Sequence, residues 1–333
     1  LDCTITAKAN TVVYDNLNLK DVSGKMIIKD EAVTLQNLKT SIFGGTIGLN
    51  GTVSTKNVTP TFKMDLNLNS VDITQSFKQL EMLKSIAPIA DVISGKLTST
   101  IDLSGNLDSK EMTPDLKSIS GNLIGQLLST SLNEKNSKVL NSLVENVKFI
   151  DLKKLSLNDL KANLTFDNGK VNLKPISLKY QDIPITLSGQ HGFDQTMSYN
   201  VSFDVPAKYL GTEVNKLLAS TKTDGSKITV PVNAVITGNF QNPKVSTDLT
   251  QSVKSLTNQL IQQQKDKYID KGKEALGNIL SGNKNPNSNT SGTTTPADTT
   301  KAQQPKTKEE TKQEVKDKVT GGIKDLLNRK KKE

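Results

Sequence analysis

The chain has 333 residues, of which 34% are apolar and only 4% aromatic, with no Trp, one Cys and one His. Chains this poor in large apolar groups either carry segments without a core or bury one face of their sheets, and a lone Cys3 and a lone His191 exclude an internal disulfide and multi-Cys or multi-His metal sites. The formal net charge is +9, yet Arg329 is the sole arginine; Arg dominates base readout and bidentate phosphate contacts, so a nucleic-acid partner is not expected.

The chain starts at Leu1 rather than Met, which reads as a processed or truncated product without its targeting segment. Asp2 before Cys3 does not look like a lipoprotein cleavage site, so Cys3 is expected to be an ordinary strand residue. From there to residue 250 the pattern is mainly period 2. Val33 and Leu35, then Ile47 and Leu49, alternate with polar residues or glycine, and Phe62, Met64, Leu66 and Leu68 alternate with Lys63, Asp65 and Asn67. Leu97, Ile101 and Leu103, then Tyr199, Val201, Phe203 and Val205, then Ile228, Val230 and Val232 continue it. Such alternation predicts strands with one apolar face. Turn signals lie between them at Asp30-Glu31, Gly44-Gly45, Ser104-Gly105-Asn106 and Asp224-Gly225, and Asn168-Gly169 between apolar alternations predicts a hairpin.

Two stretches break the period. Residues 74–93 carry Phe77, Leu80, Leu83, Ile86, Ile89 and Ile93 at helical spacing around Pro88, which predicts a kinked or two-part helix. Residues 132–149, with Val139, Leu140, Leu143 and Val147, predict an amphipathic helix. Residues 17–51 and 155–189 also match without a gap at an offset of 138: Leu19/Leu157, Asp21/Asp159, Val33/Val171, Leu35/Leu173, Ile47/Ile185, Leu49/Leu187 and Gly51/Gly189 all pair. A kept register means a kept apolar face. Residues 1–250 are therefore expected to form one repeated β-domain.

After residue 250 the composition changes. Residues 251–281 predict an amphipathic helix, residues 282–306 are Asn, Ser, Thr, Gly and Pro and are expected to be a disordered linker, and residues 307–333 predict a basic helix. Residues 251–333 hold 17 basic against 10 acidic residues, while residues 1–250 hold 26 against 24. Arg329, Lys330, Lys331 and Lys332 are the candidate contacts to an anionic membrane surface. No run of 18 apolar residues is present, so no transmembrane helix is expected.

Enzyme constellations are absent. The sequence has no P-loop, no G-x-G-x-x-G and no G-x-S-x-G, and His191, in Gly189-Gln190-His191-Gly192, reads as a hairpin-turn histidine. No enzyme activity and no cofactor are expected. What remains is a long apolar face with too few helices to cover it. If the sheet curls, the uncovered part lines a trough that suits a chain-like apolar ligand better than a polar metabolite. Alternation assigns its wall to Phe62, Met64, Leu66, Leu68, Ile101, Leu164, Phe166, Val171, Leu173, Ile185, Leu187, Val201 and Phe203. Phe77, Leu80, Leu83 and Ile86 would plug or cap it.

Lys25 to Gly51, with Asp30-Glu31, Phe43-Gly44-Gly45 and Gly51, resembles the strand–turn–strand–FGG–strand block of AsmA-like proteins. Leu66 to Ile73 resembles the family's L-x-V-D approach to a helix. Val230-Pro231-Val232 with Ile236-Thr237-Gly238-Asn239-Phe240-Gln241-Asn242-Pro243-Lys244-Val245 resembles the ending of the AsmA C-terminal region. The likeness covers residues 12–280 and extends to TamB and to bridge-like lipid-transfer proteins. It implies an all-β, elongated, taco-like antiparallel sheet with an apolar concave groove. It also implies a periplasmic body tethered to the inner membrane by an N-terminal helix absent from this chain, and phospholipid carried between inner and outer membranes for outer-membrane biogenesis. The alternative it implies is an assembly scaffold for outer-membrane proteins with an envelope protein partner.

Overall fold

In a computed structural model, residues 2–80, 86–132 and 137–280 are described. The predicted Leu83, the linker, the last helix and Arg329 to Lys332 lie outside them. The chain divides into two compact units, Leu1–Val205 with Pro231–Leu249, and Pro206–Val230 with the chain from Thr250.

The first unit is all-β dominated. Its strands are β1 (Cys3–Tyr14), β2 (Leu17–Lys29), β3 (Ala32–Ile42), β4 (Gly45–Ser54), β5 (Thr61–Asp72) and β6 (Ile93–Asn106). They continue as β7 (Ser120–Leu132), β8 (Lys161–Asp167), β9 (Lys170–Tyr180), β10 (Ile183–Gly192), β11 (Thr196–Pro206), β12 (Thr229–Asn239) and β13 (Asn242–Thr247). Each strand lies beside its sequence neighbours in one antiparallel sheet, open at β1 and β13 and curled, as expected for a taco-like sheet. Several links are two-residue hairpins, the shortest that let a right-twisted pair turn back. Asp30-Glu31, Phe43-Gly44 and Asn168-Gly169 all have positive φ at both positions, the geometry of a type I′ turn.

The offset of 138 reappears in the fold. β3 and β9 have equivalent bounds, as do β4 and β10. The β3–β4 register slips between Leu35 and Leu38, and the β9–β10 register slips at the equivalent Leu173 and Ile176. Left-handed backbone recurs at Asp21/Asp159, Asp30/Asn168 and Phe43/Gln181. Each slip adds one residue, so Leu173 and Ile176, three apart, still share a face.

Helix α1 (Ile73–Gln79) starts where Asp72 Oδ1 accepts the Gln75 amide at 2.8 Å, an N-cap. The described remainder of the β5–β6 connection ends in a 3-10 turn, Pro88–Val92, and the middle of the segment 74–93 lies outside the described residues. Pro88 fits only the first turn of the second piece. Helix α2 (Lys138–Val147) is capped by Ser137 and buries Val139, Leu143 and Val147 on one stripe. It packs against β13. Leu132, predicted to be helical, is instead the last residue of β7.

The second unit contains α3 (Thr212–Thr221), which alternation did not anticipate, and α4, which runs Leu249–Leu280. Val214, Leu218 and Thr221 are buried on α3, and Val253, Leu256, Thr257 and Leu260 on α4, at the three- and four-residue spacing of a single face. Lys267 Nζ donates to the Thr221 carbonyl at 2.6 Å. Among the described residues, no helix is long and apolar enough to cross a membrane.

Candidate functional site

Register fixes which side chains share a face. Across β3 to β9, Leu38 stands opposite Leu49, Leu49 opposite Leu66, Leu66 opposite Ile101, Ile101 opposite Leu123, Leu123 opposite Leu164, and Leu164 opposite Leu173. This is an unbroken aliphatic band across seven strands. Every member is half-buried. A band under a second packed layer would be fully buried, and one on a flat open face would be exposed. The reverse face carries Lys63, Asp65, Asn67, Asp102 and Asn122 in water.

All thirteen wall residues expected from alternation fall on this apolar face, in two environments. Met64, Leu66, Leu68, Ile101, Leu164, Leu173 and Leu187 are half-buried. Phe62, Phe166 and Val171 lie in a closed cluster with Leu107 and Ile119, capped by the β6–β7 connection. Ile185, Val201 and Phe203 belong to closed core: Phe203 is 1% exposed and meets Phe149 edge-on at 5.4 Å between ring centres. The connection that follows α2 supplies Phe149, and its Asp151 amide donates to the Tyr180 hydroxyl at 3.2 Å. The face is thus sealed near β9 to β11 and half-buried along the band from β3 to β8.

Leu38, Leu49 and Leu123 were not assigned to the wall. Leu38 and Leu49 were legible as apolar repeat partners. Leu123 is followed by exposed Ile124, which blurs the alternation of β7.

Described parts of the β5–β6 connection lie on the apolar face. Phe77 is buried, and α1 packs on β5 and β6. Leu80 packs against the cluster of Ile42, Phe43 and Val71. Ile86 packs against the cluster of Phe62, Phe166 and Val171. Val71 and Phe62 are nine positions apart on β5, about 30 Å of extended strand, so Leu80 and Ile86 pack against two separate clusters.

His191 holds Ile86 in place. The histidine is the β10 partner of Val171 and Met197, on the apolar face, and is 5% exposed. It is not the turn residue its Gly-rich surroundings suggested; β10 simply continues through it to Gly192. Its Nε2 lies 2.7 Å from the Ile86 carbonyl and its Nδ1 lies 2.7 Å from the Tyr199 hydroxyl. A carbonyl only accepts, so Nε2 carries the proton; in the neutral ring Nδ1 then accepts from Tyr199. Burial lowers the His191 pKa, opposed by the Ile86 bond, and pushes the Tyr199 hydroxyl up to about 12. Phe240 meets the imidazole edge-on at 5.5 Å.

Among the described residues, no group of three or more His, Cys, Asp or Glu side chains could hold a metal ion. Comparison of the chain with family models, with curated proteins and with solved structures returns no match.

Proposed function

We propose that the protein is a non-enzymatic carrier of acyl chains, which lie against the half-buried aliphatic band of its curled sheet. The observation that carries this reading is the run from Leu38 to Leu173, continuous across seven strands and half-buried at every member. Six strand spacings make about 29 Å, close to the hydrocarbon thickness of a bilayer, about 30 Å. Burying about 15 methylenes is favourable by roughly 12 kcal/mol at about 0.8 kcal/mol each. Contact without directional bonds lets a chain slide along the band. Phospholipid is the substrate class that best fits a trough whose rim and reverse face are polar. Transport between inner and outer membranes of an envelope follows from the resemblance to AsmA-like proteins.

The test is lipid extraction and native mass spectrometry of the purified protein, with Leu66→Asp and Leu123→Asp beside the wild type. Phospholipid recovered with the wild type and lost from both variants supports the reading. Equal recovery from all three overturns it. A scaffold for outer-membrane protein assembly is the second reading. It is favoured by the open edge of β1, where Ile5, Val13 and Tyr14 are exposed; a stable protein partner with no bound lipid would favour it.

A further inference from the structure

We infer that the free edge of β1 is the interface through which two copies of this chain pair, antiparallel about a two-fold axis at Ile5. The pairing does not depend on the acyl-carrier reading and stands if that reading fails.

Three observations support it. First, the two edges of the sheet differ. β13 is six residues long, carries Pro243 and Lys244, and has α2 packed against it, features that keep another strand from adding. β1 is twelve residues long, holds no Pro and has Lys8 as its one charged residue. Its neighbour in the sheet is β2 alone, and Ile5, Val12, Val13 and Tyr14 are exposed on it.

Second, the internal repeat shows what an aliphatic residue at this place takes as a partner. Ile5 stands opposite Met26 as Leu123 stands opposite Leu164, the residue 138 positions after Met26. β1 is therefore to β2 what β7 is to β8. The far side of β7 is taken by antiparallel β6, with Ile101 opposite Leu123. An antiparallel strand on β1 with an aliphatic residue opposite Ile5 repeats that geometry.

Third, β1 is complementary to itself in that register. With Ile5 facing Ile5 of the second copy, Thr4 faces Thr6, Cys3 faces Ala7 and Asp2 faces Lys8, each pair formed twice. Opposite charges meet on one face and apolar or small groups on the other. A register with Lys8 on the axis would oppose two lysines. Within one chain Asp2 pairs with Lys29 at 3.3 Å in an exposed contact, which Lys8 of a second copy can share. Paired side chains lie on the same face, so the apolar row through Leu35, Met26 and Ile5 runs on into the second copy.

The experiment measures the full chain by sedimentation velocity over a concentration series, beside Ile5→Lys, Lys8→Asp and the exchanged pair Asp2→Lys with Lys8→Asp. The wild type is expected to pass from monomer to dimer. Ile5→Lys and Lys8→Asp are expected to weaken the dimer by about tenfold, and the exchanged pair to restore it. Oxidation with diamide tests the register without relying on these variants. Ala7→Cys is expected to give a disulfide-linked dimer, because Cys3 then faces Cys at position 7 of the second copy. Within one chain positions 3 and 7 are about 13 Å apart, beyond disulfide reach, and the wild type, whose two Cys3 residues are equally far apart, is expected to stay unlinked. A wild type that remains monomeric overturns the inference. A dimer unaffected by folded Ile5→Lys, or equal cross-linking of Ala7→Cys and wild type, also overturns it.

Discussion

His191 Nε2 lies 2.7 Å from the carbonyl oxygen of Ile86, a residue 105 positions earlier in the chain. The bond ties the end of β10 to the connection between β5 and β6, and it is made inside an apolar face. An imidazole there is neutral because burial penalises the charged ring.

Acid should therefore destabilise the fold above the carboxylate range. The folded pKa of His191 is depressed, so the unfolded chain binds more protons, and stability falls as pH drops below about 6.5 toward the folded value. Asp194, held low by the Thr196 hydroxyl and amide, titrates further down. At the alkaline end the sign reverses, because Tyr199 keeps its proton up to about 12 while an unfolded tyrosine loses it near 10. Urea melts from about pH 8 to about pH 5 should show the acid limb in the wild type and a flatter one in His191→Phe. An identical limb in the variant would assign it to other groups.

Truncations should separate sealed core from open band. Phe203→Ala removes a ring 1% exposed that meets Phe149 edge-on, and should cost about 3–5 kcal/mol in a denaturant melt. Leu66→Ala removes a half-buried side chain and should cost less than about 2 kcal/mol. Equal costs would mean that the band is as tightly packed as the core.

The residue that ends the L-x-V-D stretch has a measurable role. Asp72 Oδ1 caps α1 through the Gln75 amide, and its carbonyl accepts the Ser76 hydroxyl at 2.7 Å. Asp72→Ala should lower stability by about 1 kcal/mol. It should also raise amide exchange in α1 more than in β9. Uniform exchange changes would contradict a local cap.

Gly189 carries a backbone constraint that its repeat partner Gly51 shares in part. Its φ is +147°, and a Cβ there would lie 2.4 Å from the Ser198 carbonyl oxygen and 2.6 Å from the Tyr199 Cα. At Gly51 the nearest atom, the Lys63 carbonyl oxygen, would be 2.8 Å away. Gly189→Ala should destabilise by more than 1 kcal/mol, and by more than Gly51→Ala, in thermal melts; the reverse order would count against the clash.

Much of the sheet was legible because strands advertise themselves at period 2. Phe62 to Leu68, Tyr199 to Val205 and the repeat at 17–51 and 155–189 each placed apolar groups on one face, and the β-bulges at Asn37 and Pro175 left that face intact. Helices were harder. The segment 212–221 offers few apolar positions, and in the predicted helix over 74–93 Pro88 opens a 3-10 turn.

By itself the sequence determined an antiparallel β protein with one apolar face, because alternation is a local property of each strand. Which part of that face is sealed and which is left half-buried was decided by the tertiary structure alone. Phe149 covering Phe203, and Ile86 reaching His191, are contacts between residues 54 and 105 positions apart. No local period encodes them; they follow from where two connections fold back onto the curled sheet.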